Sequence, residues 1–238
     1  EQKNGVTFVL YDADEKEYTF YDRERAQKRF RPASTFKIPN TLIGLTTGAV
    51  KSVDEILPYP GGDGHSENWR RDMSLRQAIT ISNLPIYQVL AQRIGLARMK
   101  IEIDRLGYGN REIGQEVDKF WLDGPLAISA VEQCGFLADL ARTLLPLPAE
   151  AQAAAREIIL LDQGEGWKLF GKTGATFRAD SKIGWWVGWV EKEGRIYSFA
   201  LNMDLIDYNQ DLPKRVQMGR AALCALGIIS PCPDQAKP

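Results

Sequence analysis

Histidine is almost missing from this chain: its 238 residues include one, His65, in the glycine-rich stretch Gly62-Asp63-Gly64-His65-Ser66. A catalytic zinc asks for three protein ligands, so a metal mechanism is set aside and no metal site is assigned. A Ser-His-Asp triad would have to take its base from that same unsupported stretch, and it is set aside too. His65 reads as a surface loop residue. Cysteine is also scarce. Cys134, Cys224 and Cys232 are 90 and 8 residues apart, a spacing that fits no Cys-x-x-Cys or zinc signature. Cys134 and Cys224 lie in apolar helical runs and read as inert core thiols, whereas Cys232, in a proline-rich tail, is left as a free thiol or a partner for Cys224. A net charge of −1 gives neither nucleic acid nor an anionic membrane an electrostatic reason to bind. No 18-residue apolar run, signal peptide, internal repeat or low-complexity linker is present, so the chain reads as soluble or already processed, with a small molecule as its partner.

What remains is an ordinary globular composition, 44% apolar and 26% charged, in a chain long enough for a sizeable core. Val6 to Tyr11 and Glu17 to Tyr21 alternate as a strand hairpin around a polar turn. Helices are expected over Thr35 to Leu45, Leu75 to Gly95 with a break at Ser82-Asn83-Leu84-Pro85, Leu96 to Leu106, Ala130 to Leu145 and Ala149 to Leu161. Three strands follow, at Trp167 to Lys172, Gly184 to Val190 and Ile196 to Met203, with a turn at Glu191 to Gly194, and a last helix over Pro213 to Leu226. Terminal strands around a helical middle predict a mixed α/β fold: one antiparallel sheet flanked by helices, plus a helical subdomain. The expected organisation is a single domain over 1–238, its sheet part formed by 1–30 with 165–238 and its helical part by 31–164. The candidate chemistry would then fall at the seam.

That chemistry begins with Ser34 and Lys37. In a helix they share a face, so the amine can approach the hydroxyl and act as its base. With 9 serines and 13 lysines, about 0.5 such pair is expected by chance, so other motifs must support it. Downstream stands Lys172-Thr173-Gly174. Ser34 at a helix start would offer its backbone N–H to an oxyanion, and Ala175, past a turn at Gly174, a second one. Lys172 and Thr173 would face a bound acyl group. Arg215 offers a planar fork for a carboxylate. Taken singly, Lys172-Thr173-Gly174 reads as a strand end with a turn glycine, and Arg215 as a solvated helix residue.

Together these residues resemble the class D, oxacillinase-type serine β-lactamases of the penicillin-recognising fold. Pro32-Ala33-Ser34-Thr35-Phe36-Lys37-Ile38-Pro39-Asn40 is similar to the nucleophile motif of that family, and Tyr108-Gly109-Asn110 to its Tyr-Gly-Asn motif. Phe120-Trp121-Leu122 through Ile128-Ser129-Ala130 resembles its omega-type loop, and Lys172-Thr173-Gly174 with Gly184-Trp185-Trp186-Val187-Gly188-Trp189-Val190 its central strands. Five weak motifs in family order make coincidence a poor explanation.

The resemblance implies hydrolysis of the β-lactam amide of penicillin-type antibiotics through a Ser34 acyl-enzyme, hence antibiotic resistance. It implies no cofactor beyond carbon dioxide or bicarbonate, which carboxylates Lys37 and makes it the general base of both half-reactions. Carboxylation needs a neutral amine, while an ordinary lysine, with a pKa of about 10.4, is protonated at neutral pH. Burial disfavours the charged form, and Phe36, Ile38, Leu84, Phe120, Trp121 and Leu122 are the apolar candidates to line the pocket. Trp121 would donate its indole N–H to the carbamate, although alone it would read as a core aromatic. Ser82 matches the serine of the second motif, a proton relay with Lys172. There the pattern departs: relatives carry Ser-x-Val, this chain Ser82-Asn83-Leu84, and the added methylene is expected to alter water access and deacylation. Strand residues also begin by Val6, where relatives carry a helix first, which leaves truncation at that end open.

Competing members of the fold are weighed on the same residues. Class A enzymes use a loop glutamate, but Glu112 and Glu116 lack its Glu-x-x-Leu-Asn context. A β-lactam sensor domain, acylated without turnover, and a penicillin-binding transpeptidase stand as alternatives, both ordinarily attached to membrane segments. The expected location is periplasmic or secreted. Specificity is assigned to the loops around Trp69, Gly124-Pro125-Leu126 and Phe177 to Ile183, from which no preferred β-lactam follows. Oligomeric state, monomer or homodimer, is left open.

Overall fold

The computed structural model describes residues 5–62, 66–176 and 182–232, and so leaves His65 and most of the Phe177 to Ile183 loop outside the described residues. Its strands are β1 Val6–Asp12, β2 Glu17–Tyr21, β3 Ile56–Leu57, β4 Met73–Ser74, β5 Leu160–Gly164, β6 Trp167–Ala175, β7 Ile183–Lys192 and β8 Arg195–Asp204. The helices are α1 Arg23–Gln27, α2 Lys37–Thr46, α3 Leu75–Thr80, α4 Leu84–Ile94, α5 Leu96–Leu106, α6 Ala130–Ala141, α7 Ala149–Glu157 and α8 Tyr208–Ala225. The chain divides into two compact units, Glu1–Phe30 with Ile128–Arg142 and Leu160–Pro238, and Arg31–Ala127 with Thr143–Ile159. The stretch 31–164, read as helical from sequence, is thus shared, because α6 packs on the sheet and β5 belongs to it.

The sheet unit is a six-stranded sheet in the order β2-β1-β8-β7-β6-β5, antiparallel at every pairing. Along β7, Trp186 and Val190 join Phe199, Leu201 and Met203 of β8 and Leu223 of α8 in one core. On the opposite face, Ser198 donates to the Cys134 carbonyl of α6 at 2.8 Å. A sheet covered on both faces has no polar side, which is why β7 reads as a nearly unbroken apolar run. Burying each of its indoles stabilises the unit by about 3 kcal/mol. Gly219 lets α8 approach, since a Cβ there would collide with the Trp186 ring.

Several boundaries differ from the sequence reading, each for a local reason. The helix expected to reach Leu161 stops at Glu157, because Leu160 is drawn into pairing with Phe170 of β6. The last helix begins at Tyr208 rather than Pro213: the Asp207 carboxylate accepts from the backbone N–H groups of Asn209 and Gln210 and caps it there. The turn between β7 and β8 is shorter than Glu191 to Gly194, because pairing continues to Lys192 and Arg195. The α1 helix, capped by Asp22, was not anticipated. Cys224 is not an inert thiol; it forms a disulfide with Cys232, whereas Cys134 is buried and free.

In the helical unit, α2 packs against α4, and Gly44 permits the approach because a Cβ there would meet Leu90 at 2.8 Å. The break between α3 and α4 falls where expected. Ser82 adopts a left-handed backbone with φ 57, and Asn83 caps α4 by accepting from Ile86 N–H at 3.1 Å. Among the described residues no helix is long and apolar enough to cross a membrane.

Candidate active site

In the helical unit, Ser34 sits in the short 3-10 turn Ala33–Phe36, which runs directly into α2. Residues three apart eclipse in a 3-10 turn, and this brings Lys37 Nζ to 3.0 Å from Ser34 Oγ. The turn is tied to Trp121, whose carbonyl accepts from Ala33 N–H at 3.0 Å. Lys37 is 1% exposed, the condition that disfavours an ammonium group. Phe36 stacks on Trp121 with ring centroids 5.3 Å apart and meets Phe120 edge-on at 4.9 Å, so three of the expected wall residues form one cluster. The indole N–H of Trp121 is buried and has no hydrogen-bond partner among the described residues. A buried donor left in that state costs about 1–3 kcal/mol, so the site has room in its chemistry for an acceptor.

Tyr87 was missed by the sequence reading. Its ring lies under Lys37 Nζ, with the nitrogen 5.3 Å from the centroid, and its hydroxyl is 2.9 Å from Thr41 Oγ1, which itself donates to the Lys37 carbonyl at 2.9 Å. The available signal was helical spacing: Thr41 lies one turn beyond Lys37, and Tyr87 lies three residues beyond Leu84 on α4.

Trp69 anchors the turn that carries Ser82. Its indole donates to the Ile81 carbonyl at 3.1 Å, and its own carbonyl accepts from Asn83 Nδ2 at 3.1 Å. Leu84 opens α4 and is partly buried. Tyr108-Gly109-Asn110 is structural in its contacts: Asn110 donates to the Pro125 carbonyl at 2.9 Å and accepts from Ala127 N–H at 3.0 Å, clamping the segment that follows Trp121.

In the sheet unit, β6 continues through Gly174 to Ala175, paired with Trp185 and Gly184, so the turn expected at Gly174 is absent. Lys172 and Thr173, being consecutive on a strand, start toward opposite faces, but the Lys172 amine curls back to 3.4 Å from Thr173 Oγ1, so their polar ends converge. The lysine amine reaches back to the Thr173 carbonyl at 3.1 Å. Burial lowers the Lys172 pKa to about 7, and the Arg215 charge adds to the effect. Arg215 donates through Nη1 to the Gly174 carbonyl at 2.5 Å, while its Nε is buried without a partner among the described residues. It is therefore not the solvated helix residue of the simplest reading. Burial also pulls its guanidinium below the ordinary range.

Comparison with known proteins adds a name to this geometry. The penicillin binding protein transpeptidase domain profile matches residues 2–223. The chain is 39% identical over 232 residues to β-lactamase OXA-10 of Pseudomonas aeruginosa, covering 96% of this chain and 86% of that protein. It is 38% identical over 205 residues to β-lactamase OXA-48 of Klebsiella pneumoniae, covering 86% and 77%. The crystal structure of FUS-1 (OXA-85), a class D β-lactamase from Fusobacterium nucleatum subsp. polymorphum, superposes with a TM-score of 0.92 at 43% identity, over 95% of this chain and 94% of that one.

Proposed function

Because the chain belongs to the class D β-lactamases of the penicillin-binding transpeptidase fold, we propose that it opens β-lactams through a Ser34 acyl-enzyme, with carboxylated Lys37 as general base. The observation that carries this reading is the buried Lys37 amine 3.0 Å from Ser34 Oγ, beside an indole donor at Trp121 that lacks an acceptor. Carbon dioxide joined to the Lys37 nitrogen would supply an anionic oxygen base there, and Trp121 Nε1 would hold it.

In acylation, Ser34 Oγ attacks the lactam carbonyl carbon while its proton passes to the Lys37 side chain. The ring C–N bond breaks, and the leaving nitrogen takes a proton relayed by Ser82 and Lys172. A group with a pKa of about 7 suits a relay, since it gives and accepts a proton at neutral pH. The Ser34 and Ala175 backbone N–H groups are assigned to the oxyanion. Arg215 receives the substrate carboxylate, supported by its unpartnered Nε. Thr173 and Gly174 line the strand edge beside it. In deacylation, water attacks the ester carbonyl and Ser34 departs, with Lys37 again the base. We assign the protein to the periplasm or the outside of the cell, and the Cys224–Cys232 disulfide supports an oxidising compartment.

Turnover of a chromogenic cephalosporin, rising with added bicarbonate, is the expected result. A single stoichiometric burst leaving a stable adduct on Ser34 would overturn it in favour of a sensor or transpeptidase.

A further inference from the structure

We propose that Tyr87 is a positioning residue for Lys37, its ring face opposing carboxylation so that the modification stays reversible; this rests on the carboxylated-lysine reading above. Lys37 Nζ lies over the ring at 5.3 Å from the centroid, within the range of a cation–π contact. The face of an aromatic ring carries negative electrostatic potential, so it favours an ammonium group over a neutral amine. It disfavours a carbamate anion by the same sign. Both effects work against addition of carbon dioxide, in which an N–C bond forms and an amine proton leaves.

The ring is held in that place by a chain of hydrogen bonds with a definite direction. Thr41 has one hydroxyl proton, and it goes to the Lys37 carbonyl at 2.9 Å. The 2.9 Å contact between Thr41 Oγ1 and Tyr87 Oη is therefore donated by the tyrosine. Burial raises the Tyr87 pKa, which keeps that proton on the phenol. Asn40 Nδ2 adds a second tie, to the Tyr87 carbonyl at 3.1 Å. Since Thr41 and Asn40 stand on the same helix as Lys37, the amine and the ring are referenced to one rigid element. Tyr87, Thr41 and Asn40 are all fully buried, so the ring cannot turn aside into solvent.

The test is carbamate formation followed by NMR on the full chain with carbon-13 bicarbonate, titrated at fixed neutral pH. Tyr87→Leu removes the ring face, and half-saturating bicarbonate is expected to fall about 3- to 10-fold. Tyr87→Phe keeps the face and is expected to stay within about 2-fold of the parent. A purely structural tyrosine would not separate these two variants in that order. Should Tyr87→Leu fail to fold cooperatively, Tyr87→Met fills the space without a π face and carries the same expectation. A half-saturation that is unchanged or raised in the folded ring-less variant overturns the proposal. Absence of any carbamate signal in the parent at saturating bicarbonate instead overturns the carboxylation reading, and the proposal with it.

Discussion

Replacing Lys172 with methionine removes a titrating group from the interior of the sheet unit while keeping most of its aliphatic volume. Lys172 is 6% exposed, and its pKa falls from 10.5 to about 7, first through burial and then through the charge on Arg215. The unfolded chain therefore binds more protons than the folded one between those two values, so the lysine's contribution to stability rises with pH. It is fully present above 10.5 and is lost as pH falls toward 7. Working the linkage at pH 7 and pH 10 gives a change of about 3 kcal/mol across that interval. The methionine variant lacks this slope. Its stability relative to the parent should thus be highest near pH 7, and the advantage should shrink by about 3 kcal/mol by pH 10. Urea unfolding at both values, read as the difference between parent and variant, cancels the titration of distant groups. An offset that does not move with pH would refute the depressed pKa, and with it the case for Lys172 as a proton relay at neutral pH.

The other predictions concern the site directly. Trp121→Phe keeps the stacking on Phe36 but removes the indole N–H, and half-saturating bicarbonate in the carbamate titration should rise about 10-fold or more, the worth of a hydrogen bond to a charged group. Arg215→Ala should raise KM for substrates bearing the ring carboxylate by about 10-fold or more, with little change for their uncharged esters; equal loss on both argues against a carboxylate contact. Leu84→Val should change the deacylation rate measured by acyl-enzyme lifetime, and unchanged turnover, carboxylation and product inhibition would discard the role given to the extra methylene.

The parts of the fold that were legible from sequence are those set by local patterning. The α5 helix over Leu96–Leu106 follows from apolar periodicity ending at a glycine that adopts φ 60, and the β1–β2 hairpin from alternation around a turn whose Asp12 accepts from Asp14 and Glu15. Leu160 and Leu161 carried a helical pattern yet joined β5, because an available strand edge on β6 outweighs a weak local preference. Gly174 failed as a turn signal for the same reason: with Trp185 of β7 beside it, the pairing continues through it. Tyr87 was illegible as a site residue because its importance lies in a contact across two helices, which helical spacing permits but does not reveal.

The backbone around the candidate hydroxyls carries a further kind of information that sequence patterns do not. Ala33 and Ser82 adopt φ 48 and φ 57, in the left-handed region, where a residue with a Cβ costs about 1–2 kcal/mol and glycine would cost nothing. Ala33 is fully buried, so its strain has no solvent-exposed turn to relieve it. Each is held in place by a specific bond, Ala33 N–H to the Trp121 carbonyl and Ser82 N–H to the Ile79 carbonyl. A glycine at position 82 would be the cheaper turn residue, but it would remove the hydroxyl; the strain is the consequence of keeping an oxygen there. At position 33 the bond to Trp121 joins the nucleophile turn to the donor assigned to Lys37. The strained Ala33 thus ties the turn that carries the proposed nucleophile to the Phe36–Trp121 stack in a common frame.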